Sequence, residues 1–509
     1  MDFVELKELI ETNISQFGEY PFLYFNEKQY TNVETKNFAD SFAAGLSNKG
    51  IAKGDRVIVV MPNCPEVVFA YQGISRAGAI IVPIMFTLHS KEIQYIAHNS
   101  GAKAVITSSP VLEKVEKALI DLPVKPIIIA ADLPSNTNLV NFYDVMDNFN
   151  QDHFGQNANE EETAVILYTS GTTGNPKGVM LTHKNLYSNA LNSAKHSGTE
   201  RGTTLGVLPL AHVYGLTISN VCFLTGSSIV VFSQFDVKKV FKAIEHYKVK
   251  TFSAVPAMIH AMVSYPEARS YDISSLESVG SGSAPLPVAL HQAFAEKFAA
   301  PVYEGYGLSE AAPVVTAHRK GIPIKPGSVG VPIPGVEVKI VDDLGEELTM
   351  GEVGELIVRG DNVTPGYYQN PEETMQVLKD KWFYTGDMAR VDDEGYVYIV
   401  DRKKDLIIRG GFNIYPRDVE EILNAHVEVY EAAVVGVPDE RMGEEMVACV
   451  VKMQGSRVSE YELIRHCQLH LAKNKTPRKI IFLESLPRNG VGKILKTQLR
   501  KEAIENFIR

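Results

Sequence analysis

The segment from Tyr168 to Gly178, which reads YTSGTTGNPKG, constrains this chain more than any other. It directly follows a short apolar run, 163–167, that is typical of a buried strand. Because Gly171 and Gly174 lack side chains, the loop can turn its backbone N–H groups onto an anion, and Lys177 adds a positive charge. The pattern G-x-x-x-x-G-K-[ST] is not met, since two residues separate Gly174 from Lys177. The sequence therefore predicts a different phosphate-binding loop, with a flexible surface turn as the alternative.

Composition limits the class of protein. The chain has 509 residues, of which 45% are hydrophobic and 22% are charged, so it is long enough for more than one packed domain. Its net charge is −11, which gives no general attraction to nucleic acid or to an anionic membrane. We therefore expect small-molecule partners and no nucleic acid, with a homodimer left open.

The cysteines and the apolar runs indicate the cellular compartment of the protein. Cys64, Cys222, Cys449 and Cys467 lie far apart and form no C-x-x-C pair, so neither a zinc site nor a disulfide framework is predicted. The N-terminus lacks the basic and apolar regions of a signal peptide, and the longest apolar run, 77–86, is too short to span a bilayer. The sequence predicts a cytoplasmic protein without a transmembrane segment.

The chain changes its pattern more than once. From residue 35 to about 130, and again after the phosphate loop, helical stretches alternate with short apolar runs, which is typical of α/β layering. The strands predicted in this way are 55–62, 79–84, 103–107, 227–232 and 251–256, with a helix at 237–248. We expect two α/β sheet subdomains in this large N-terminal part.

The C-terminal third differs. Residues 327–400 contain short alternating strands separated by turns, which predicts a small β-barrel or sheet. Beyond residue 401 comes an α+β pattern, with a helix at 417–426 and a strand at 431–438. We place a boundary near Lys404, so that residues 1–403 form a large domain and residues 404–509 form a small one.

Three further segments carry groups suited to nucleotide chemistry. In YEGYGLSE, Tyr303 to Glu310, an aromatic ring could stack on a purine and a carboxylate could bind magnesium; a Gly-rich turn with solvated acids is the alternative. In YTGDM, Asp387 could accept both hydroxyls of a ribose, although Asp in a turn often bonds its own backbone. In RNGVGKILK, Lys493 follows two glycines near the C-terminus, where a solvated lysine is the alternative.

The order of these segments makes the chain recognisable. Over about residues 35–496 it resembles the adenylate-forming superfamily of acyl-CoA synthetases, firefly luciferase and peptide-synthetase adenylation domains. The segments that carry the resemblance, in the family's order, are YTSGTTGNPKG, LPLAHVYG, YEGYGLSE, YTGDMA, DRKKDLIIRGGFNIYP and NGVGKILK. The resemblance implies an AMP-forming acyl-CoA synthetase. Such an enzyme uses ATP and Mg²⁺ to convert a carboxylic acid into acyl-AMP and pyrophosphate, and then transfers the acyl group to coenzyme A.

The resemblance also implies the roles of individual residues. The ATP- or AMP-binding residues would be Thr169, Ser170, Gly171, Thr172, Thr173, Gly174, Lys177, Ser281, Gly282, Ser283, Ala284, Glu304, Gly305, Tyr306, Gly307, Ser309, Asp387, Ile399, Arg402 and Lys493. The catalytic residues would be Lys493, His212, Glu310 and Thr169. Of these, Thr169 and Glu310 would hold the Mg²⁺, and Lys493 would bridge the carboxylate and the α-phosphate.

The same resemblance implies an acyl pocket and a moving C-terminal domain. The pocket residues would be His212, Val213, Tyr214, Leu216, Val255, Met258, Gly280, Gly307 and Pro313. This apolar set favours a medium- or long-chain fatty acid, with an aryl acid of the benzoate or cinnamate type as the alternative. Lys404 would be the pivot of the small domain, and Gly410 and Gly411 would leave room for the pantetheine arm of coenzyme A.

Some positions depart from the common family pattern. Ser309 and Val491 each occupy a position where threonine is more usual in the family, and Thr364-Pro365 occupies one where methionine is frequent. None of these changes removes a charge or a ligand. The segment LPLAHVYG lacks the aspartate that pairs with a substrate amine in peptide-synthetase domains, so the acid should lack an amine. A nucleotide-binding regulator without catalysis is the alternative from another class.

Overall fold

The structure, a computed structural model, describes residues 5–133, 139–146, 159–169, 175–488 and 494–507. The strands are β1 Pro21–Phe25, β2 Lys28–Thr31, β3 Arg56–Val60, β4 Ile80–Pro83, β5 Ala104–Ser108, β6 Ile127–Ala131, β7 Val140–Asn141, β8 Thr163–Thr169, β9 Lys177–Thr182, β10 Thr203–Gly206, β11 Ser228–Val231, β12 Thr251–Ala254, β13 Ser278–Ser281, β14 Val302–Gly307, β15 Val314–Ala317, β16 Val331–Pro332, β17 Val336–Val341, β18 Gly354–Gly360, β19 Gly366–Tyr367, β20 Leu378–Lys379, β21 Trp382–Val391, β22 Val397–Arg402, β23 Ile407–Arg409, β24 Phe412–Ile414, β25 Val429–Asp439, β26 Gly443–Lys452 and β27 Lys479–Leu483. The helices are α1 Leu9–Phe17, α2 Asn32–Asn48, α3 Pro65–Arg76, α4 Ser90–Ser100, α5 Ser109–Leu119, α6 His183–Ser197, α7 Val213–Thr225, α8 Val237–Tyr247, α9 Pro256–Ser264, α10 Val288–Phe298, α11 Pro371–Val377, α12 Pro416–Asn424, α13 Glu460–His470 and α14 Lys496–Phe507.

Two large sheets form the N-terminal part, as the sequence predicts. Within the described ranges, one sheet has the order β19-β9-β8-β4-β3-β5-β6-β7, and its strands from β8 to β7 run parallel. The strands predicted at 55–62, 79–84, 103–107 and 163–167 are confirmed as β3, β4, β5 and the first part of β8. Such parallel strands are buried on both faces, which explains their continuous apolar runs.

The second large sheet holds the strands that end at the site. In the described part of the chain its order is β16-β15-β14-β13-β12-β10-β11-β1-β2. The pairs from β14 to β11 are parallel. The predictions at 227–232, 251–256 and 237–248 are confirmed as β11, β12 and α8. Helix α8 begins where the side chain of Asp236 accepts a hydrogen bond from Lys239 N at 2.9 Å, which caps its first turn.

A core of buried helices joins the two large sheets. Every residue of α3 is buried, and Phe42 of α2 stacks on Phe142 with ring centroids 4.3 Å apart. Phe22 of β1 stacks on Phe223 of α7 at 4.4 Å. The last contact packs α7 against β1 of the second large sheet, and α7 carries the predicted acyl-pocket residues at its first turn.

The remaining strands form two smaller sheets. Residues 336–402 fold into an open sheet with the order β17-β18-β21-β20 and with β22 paired to β21, so the region predicted as a small barrel or sheet is a sheet among the described residues. After a 3-10 turn, Lys403–Asp405, the strands β23 to β27 form the C-terminal sheet, packed against α12, α13 and α14. The predicted helix and strand of this α+β part are confirmed as α12 and β25.

No helix within the described ranges is both long and apolar enough to cross a bilayer.

Candidate active site

A cavity with a volume of about 1910 Å³ lies at the carboxyl ends of the parallel strands β10, β12, β13 and β14. Ligands of open α/β sheets bind in this place, because the loops that follow the strands converge there. The hairpin β8–β9, the small sheet and the start of α14 also border the cavity, through Thr169, Lys177, Asp387 and Gln498. The two large sheets, the small sheet and the C-terminal part of the chain therefore all contribute to one site.

The predicted phosphate loop joins two paired strands at the cavity. Thr169 is the last residue of β8 and lies opposite Lys177, the first residue of β9. The predicted residues Ser170, Gly171, Thr172, Thr173 and Gly174 lie outside the described residues. The ammonium of Lys177 forms an ion pair with Glu373 and lies 5.6 Å from the centre of the Tyr367 ring. Glu373 was missed by sequence reasoning, since it is about 200 residues away from the loop.

Glu310 is a half-buried carboxylate with one fixed oxygen. It lies in the 3-10 turn Ser309–Ala311, and its Oε1 accepts a hydrogen bond from the Tyr367 hydroxyl at 2.9 Å. Burial raises the pKa of Glu310 above its ordinary value, so a cation beside it would stabilise the charged form. Thr169 and Glu310 both line the cavity.

These residues fit a magnesium ion that is held mainly by a substrate. Mg²⁺ usually keeps several waters and binds through one or two carboxylates plus substrate phosphates. Among the residues that the structure describes, no group of three His, Cys, Asp or Glu side chains is arranged to hold a metal by itself. A single carboxylate in the cavity, together with substrate phosphates, would suit such an ion.

The residues predicted for the ribose lie together with Tyr306. Asp387 and Arg402 face each other on β21 and β22, and Arg402 Nε lies 3.2 Å from Asp387 Oδ1. The Tyr306 hydroxyl donates to Asp387 Oδ2 at 2.5 Å. Burial, with the charge of Asp387, raises the pKa of Tyr306 well above its usual range, so this hydroxyl stays protonated. The three side chains form one hydrogen-bonded group on the wall of the cavity.

The remaining predicted nucleotide residues divide into two groups. Those that line the cavity are Ser281, Gly282, Ser283, Gly305, Gly307 and Ser309, and those that do not are Ala284, Glu304 and Ile399. The hydroxyl of Ser281 is buried and has no hydrogen-bond partner among the described residues, so it is available to a ligand. Glu304 instead accepts a hydrogen bond from Leu286 N at 3.2 Å, and burial raises its pKa to about 7.

His212 caps the start of α7 at the predicted acyl pocket. Its Nδ1 accepts a hydrogen bond from Tyr214 N at 3.2 Å. Burial lowers the pKa of His212 to about 4, so the ring is neutral near pH 7 and its proton is on Nε2. The ring can therefore donate one hydrogen bond but carries no charge.

Only part of the predicted acyl pocket lines the cavity. The residues that do so are His212, Val213, Tyr214, Gly280, Gly307 and Pro313. Leu216 packs into the core between the sheets instead, and Val255 and Met258 pack against the cluster of buried residues that contains Phe241. Sequence reasoning missed the cavity residues on the next turns of α7 and on α6, which are Ser193, His196, Thr217, Ile218, Val221 and Cys222. No sequence signal separated the α7 residues of this set from its core residues, because the helix is apolar or small around most of its circumference.

Two of the three predicted functional places in the C-terminal domain reach the cavity, the segment around Lys493 and the turn with Lys404. Lys493 lies outside the described residues, whereas Arg488 and Leu495, on either side of it in the sequence, line the cavity. Lys404 lines the cavity as well, in the turn after β22. Gly410 and Gly411 lie at the exposed turn between β23 and β24 and do not line the cavity.

The fold and this cavity define an adenylate-forming ligase of two domains. The profile described as "AMP-binding enzyme" matches residues 10–368, and "AMP-binding enzyme C-terminal domain" matches residues 418–493. The chain therefore belongs to the AMP-binding enzyme family.

Similar proteins narrow the activity. The chain is 37% identical to a long-chain-fatty-acid–CoA ligase of Bacillus subtilis (strain 168) over 98% of this chain and 95% of that protein. It is 36% identical to a feruloyl-CoA synthase of Amycolatopsis sp, over 92% and 93% of the two chains. Among solved structures, ATP-bound MatB from Rhodopseudomonas palustris superposes with a TM-score of 0.91 at 28% identity, covering 99% of this chain and 100% of that one. The chain is thus an AMP-forming acyl-CoA synthetase, with ATP and coenzyme A as substrates, rather than a regulator without catalysis.

Proposed function

We propose that this enzyme activates a medium- or long-chain fatty acid. The observation that carries the proposal is the extent of the cavity. Its lining includes Ala254 and Ser281 at the carboxyl ends of the strands, but also Lys250 and Glu277 at the amino ends. Along a strand, the distance from Glu277 to Ser281 is ~13 Å at ~3.3 Å per residue. An extended alkyl chain with C–C bonds of ~1.5 Å would place about ten carbons along that length.

The lining of this deep part suits an alkyl chain. Its apolar residues are Ile218, Val221, Cys222, Phe252 and Leu276. The hydroxyl of Thr217 donates to Val213 O at 2.9 Å, and those of Ser253 and Tyr214 bond each other at 3.0 Å. Since these hydroxyls are paired within the protein, an apolar ligand beside them leaves none of them without a partner.

In the first step we propose that the carboxylate of the acid attacks the α-phosphate of ATP and releases pyrophosphate. Two anions must approach each other, so the site has to supply positive charge and fixed donors. Lys493 would lie between the carboxylate and the α-phosphate, and Lys177 would hold the terminal phosphates. The cavity position of Arg488 and Leu495, which flank Lys493 in the sequence, supports the first assignment.

The other side chains would orient the nucleotide and the acid. Asp387 and Arg402 would bind the ribose, and the ring of Tyr306 would lie against the adenine. Neutral His212 would donate a hydrogen bond from its Nε2–H to the carboxylate of the acid, while Lys493 would supply the positive charge. Glu310 and Thr169 would hold the Mg²⁺, which when bound supplies positive charge to the phosphate oxygens.

In the second step the thiol of coenzyme A would attack the carbonyl of the acyl-AMP. This step needs an open path for the pantetheine arm and no longer needs Lys493. Gly410 and Gly411 lie away from the cavity here, so a rotation of the C-terminal domain at Lys404 would be required to bring them to it.

The second candidate substrate is an aryl acid of the benzoate or cinnamate type. The similarity to a feruloyl-CoA synthase favours it, at 36% identity. An aromatic ring would fill the upper part of the cavity beside Tyr214 and Gly280 and leave the amino-terminal end of the sheet unused.

A panel of acids tests the proposal. Pyrophosphate release and thioester formation would be measured with fatty acids of 4 to 18 carbons, benzoate, cinnamate and ferulate, at saturating ATP and coenzyme A. We expect the highest kcat/KM for fatty acids with about ten carbons or more. A preference for cinnamate or ferulate over every fatty acid would contradict the proposal and support the second candidate.

A cytoplasmic location and a homodimer belong to the same proposal. The four cysteines are free, and three of them are buried, which is compatible with a reducing compartment. Sedimentation of the purified protein would establish the assembly.

A further inference from the structure

We propose that Glu373 competes with the polyphosphate for Lys177 and thereby weakens the binding of pyrophosphate. The inference rests on the phosphate role proposed for Lys177. Its basis is the ion pair that these two side chains form at the edge of the cavity.

The pair is partly shielded from solvent. The side chain of Lys177 is 17% exposed and that of Glu373 is 28% exposed. Lys177 also lies above the ring of Tyr367, whose hydroxyl donates to Glu310. Lys177 and Tyr367 line the cavity. A phosphate that reaches Lys177 therefore meets the carboxylate of Glu373 at short range.

The backbone of Glu373 is held in place by the fold. Glu373 N donates to the side chain of Asn370 at 3.2 Å, which caps α11. Thr374 Oγ1 donates to Asn370 O at 2.8 Å and accepts from Tyr367 N at 2.9 Å. Tyr367 belongs to β19, which pairs with β9, the strand that begins at Lys177. Helix α11 is thus attached to the strand of the lysine, so the backbones of the two residues stay close enough for the ion pair to form.

This arrangement has a consequence for the order of release. When a phosphate binds Lys177, the carboxylate of Glu373 either loses its partner or lies beside another anion, and both situations weaken binding. Cleavage of ATP leaves a further oxyanion on the former β-phosphate. Free pyrophosphate therefore carries more charge than the β- and γ-phosphates do within ATP, so the penalty is larger for the product. Glu373 would therefore favour release of pyrophosphate and make the first step less reversible.

The chain offers a matched control. Glu372 lies one residue before Glu373 on the same helix and is exposed. Glu372→Gln removes the same charge from the same helix without touching Lys177. Glu373→Asp keeps the negative charge but places it on a shorter side chain.

The experiment is a calorimetric titration of the full-length protein with inorganic pyrophosphate in the presence of Mg²⁺. We expect Glu373→Gln to bind pyrophosphate about tenfold more tightly than the wild type, as removal of one like-charge contact allows. Glu372→Gln should match the wild type, and Glu373→Asp should bind closer to the wild type than Glu373→Gln does. Inhibition of adenylation by pyrophosphate should be strongest in Glu373→Gln, weaker in Glu373→Asp, and weakest in the wild type and Glu372→Gln. The kcat of adenylation should change less than this inhibition does.

Two results would overturn the inference. Unchanged or weaker pyrophosphate binding in Glu373→Gln would mean that Glu373 does not compete, and weaker binding would indicate that it orients Lys177 instead. A complete lack of pyrophosphate binding in every protein, the wild type included, would overturn the phosphate role of Lys177 itself. The choice of acid substrate affects neither result, because no acid is present in the titration.

Discussion

Burial sets the chemistry of several side chains at and near the cavity. It raises the pKa of Glu310 and of Glu304 and lowers that of His212. In each case loss of solvation is the largest cause, and it disfavours the charged form. A cation beside Glu310 would favour its charged form, whereas a pKa of about 4 leaves His212 neutral near pH 7.

Glu310→Gln tests the magnesium assignment. The substitution keeps the size of the side chain and removes its charge, so we expect a higher Mg²⁺ requirement and slower adenylation. The measurement is the rate of pyrophosphate release against Mg²⁺ concentration. An unchanged titration would indicate that Glu310 only accepts the hydrogen bond from Tyr367.

Lys493→Ala should separate the two half-reactions. Only the first step needs a cation between the carboxylate and the α-phosphate, so adenylation should fall on the order of a hundredfold or more, as for loss of one preorganised donor. Thioester formation from synthetic acyl-AMP should continue. Adenylation at the wild-type rate would show that this assignment is wrong.

Glu304 should make stability depend on pH. Its pKa is raised by burial from 4.5 to about 7, so its contribution is fully present below about pH 4.5 and is lost as the pH rises through about 7. The nearby Arg417 and the hydrogen bond from Leu286 N favour the charged form but do not offset burial, and the loss has an upper value of ~3 kcal/mol. Glu304→Gln should therefore gain stability relative to the wild type between pH 5 and pH 8.

Chemical denaturation of both proteins at several pH values would measure this difference. Glu296→Gln is a suitable control, since Glu296 is exposed on α10. If the wild type and Glu304→Gln lose stability in parallel as the pH rises, Glu304 is not the group that titrates.

At the scale of elements, close backbone contacts fix the start of α7. A Cβ on Gly215 would lie 2.2 Å from Pro209 O and 2.8 Å from Leu210 Cα. Glycine at this position lets the helix approach the loop that follows β10, and His212 is in that loop. The position of His212 thus depends on a glycine three residues later.

Gly215→Ala should destabilise the protein and displace His212. The backbone must move to accommodate the methyl group, and such overpacking costs ~1–3 kcal/mol. Gly202→Ala is the control, because its Cβ would meet the end of the flexible Lys250 side chain at 2.7 Å, which can move away. Thermal unfolding and adenylation would be measured for both, and equal effects of the two substitutions would contradict this account.

The strand β3 and the helix α7 show where sequence reasoning succeeds and where it fails. The predicted strands were found within about two residues of their observed bounds, because buried parallel strands such as β3 are continuous apolar runs. The face of α7 was not predictable, since the helix is apolar or small around most of its circumference. Leu216 therefore packs in the core, while Thr217 and Ile218 line the cavity.

At the scale of the whole molecule, charged pairs connect the boundary segment to distant parts of the chain. Lys403 lies 2.8 Å from Asp343 and 3.0 Å from Glu355 in the small sheet. Within the C-terminal part, a further pair joins two helices, since Lys496 of α14 lies 2.8 Å from Glu420 of α12. The order of motifs along the sequence was enough to predict one shared site, but these pairings join residues far apart in the chain and carry no local pattern. The domain boundary falls between the two matched family ranges and stays a prediction.

Rotation of the C-terminal domain is the part of the mechanism that depends on the whole molecule. Lys404 lies in the 3-10 turn Lys403–Asp405, and such turns have φ between about −50° and −70°, which proline matches. Lys404→Pro should therefore hold the arrangement seen here, in which Arg488 and Leu495 line the cavity. Acyl-AMP should form and accumulate, because the rotation needed for the second step is restricted. Pyrophosphate release and thioester formation from synthetic acyl-AMP would be measured separately.

Gly411→Trp should give the same separation of steps for a different reason. No atom lies within 4 Å of a Cβ at Gly411, so the bulk would not disturb the present arrangement but would fill the proposed pantetheine path after rotation. Gly411 has a φ of +82°, which strains any other residue, and Gly411→Ala is therefore the control that carries the strain without the bulk. We expect Gly411→Ala to keep most of the thioester activity and Gly411→Trp to lose it, with adenylation intact in both. Normal thioester formation in both Lys404→Pro and Gly411→Trp would exclude domain rotation as the basis of the second step.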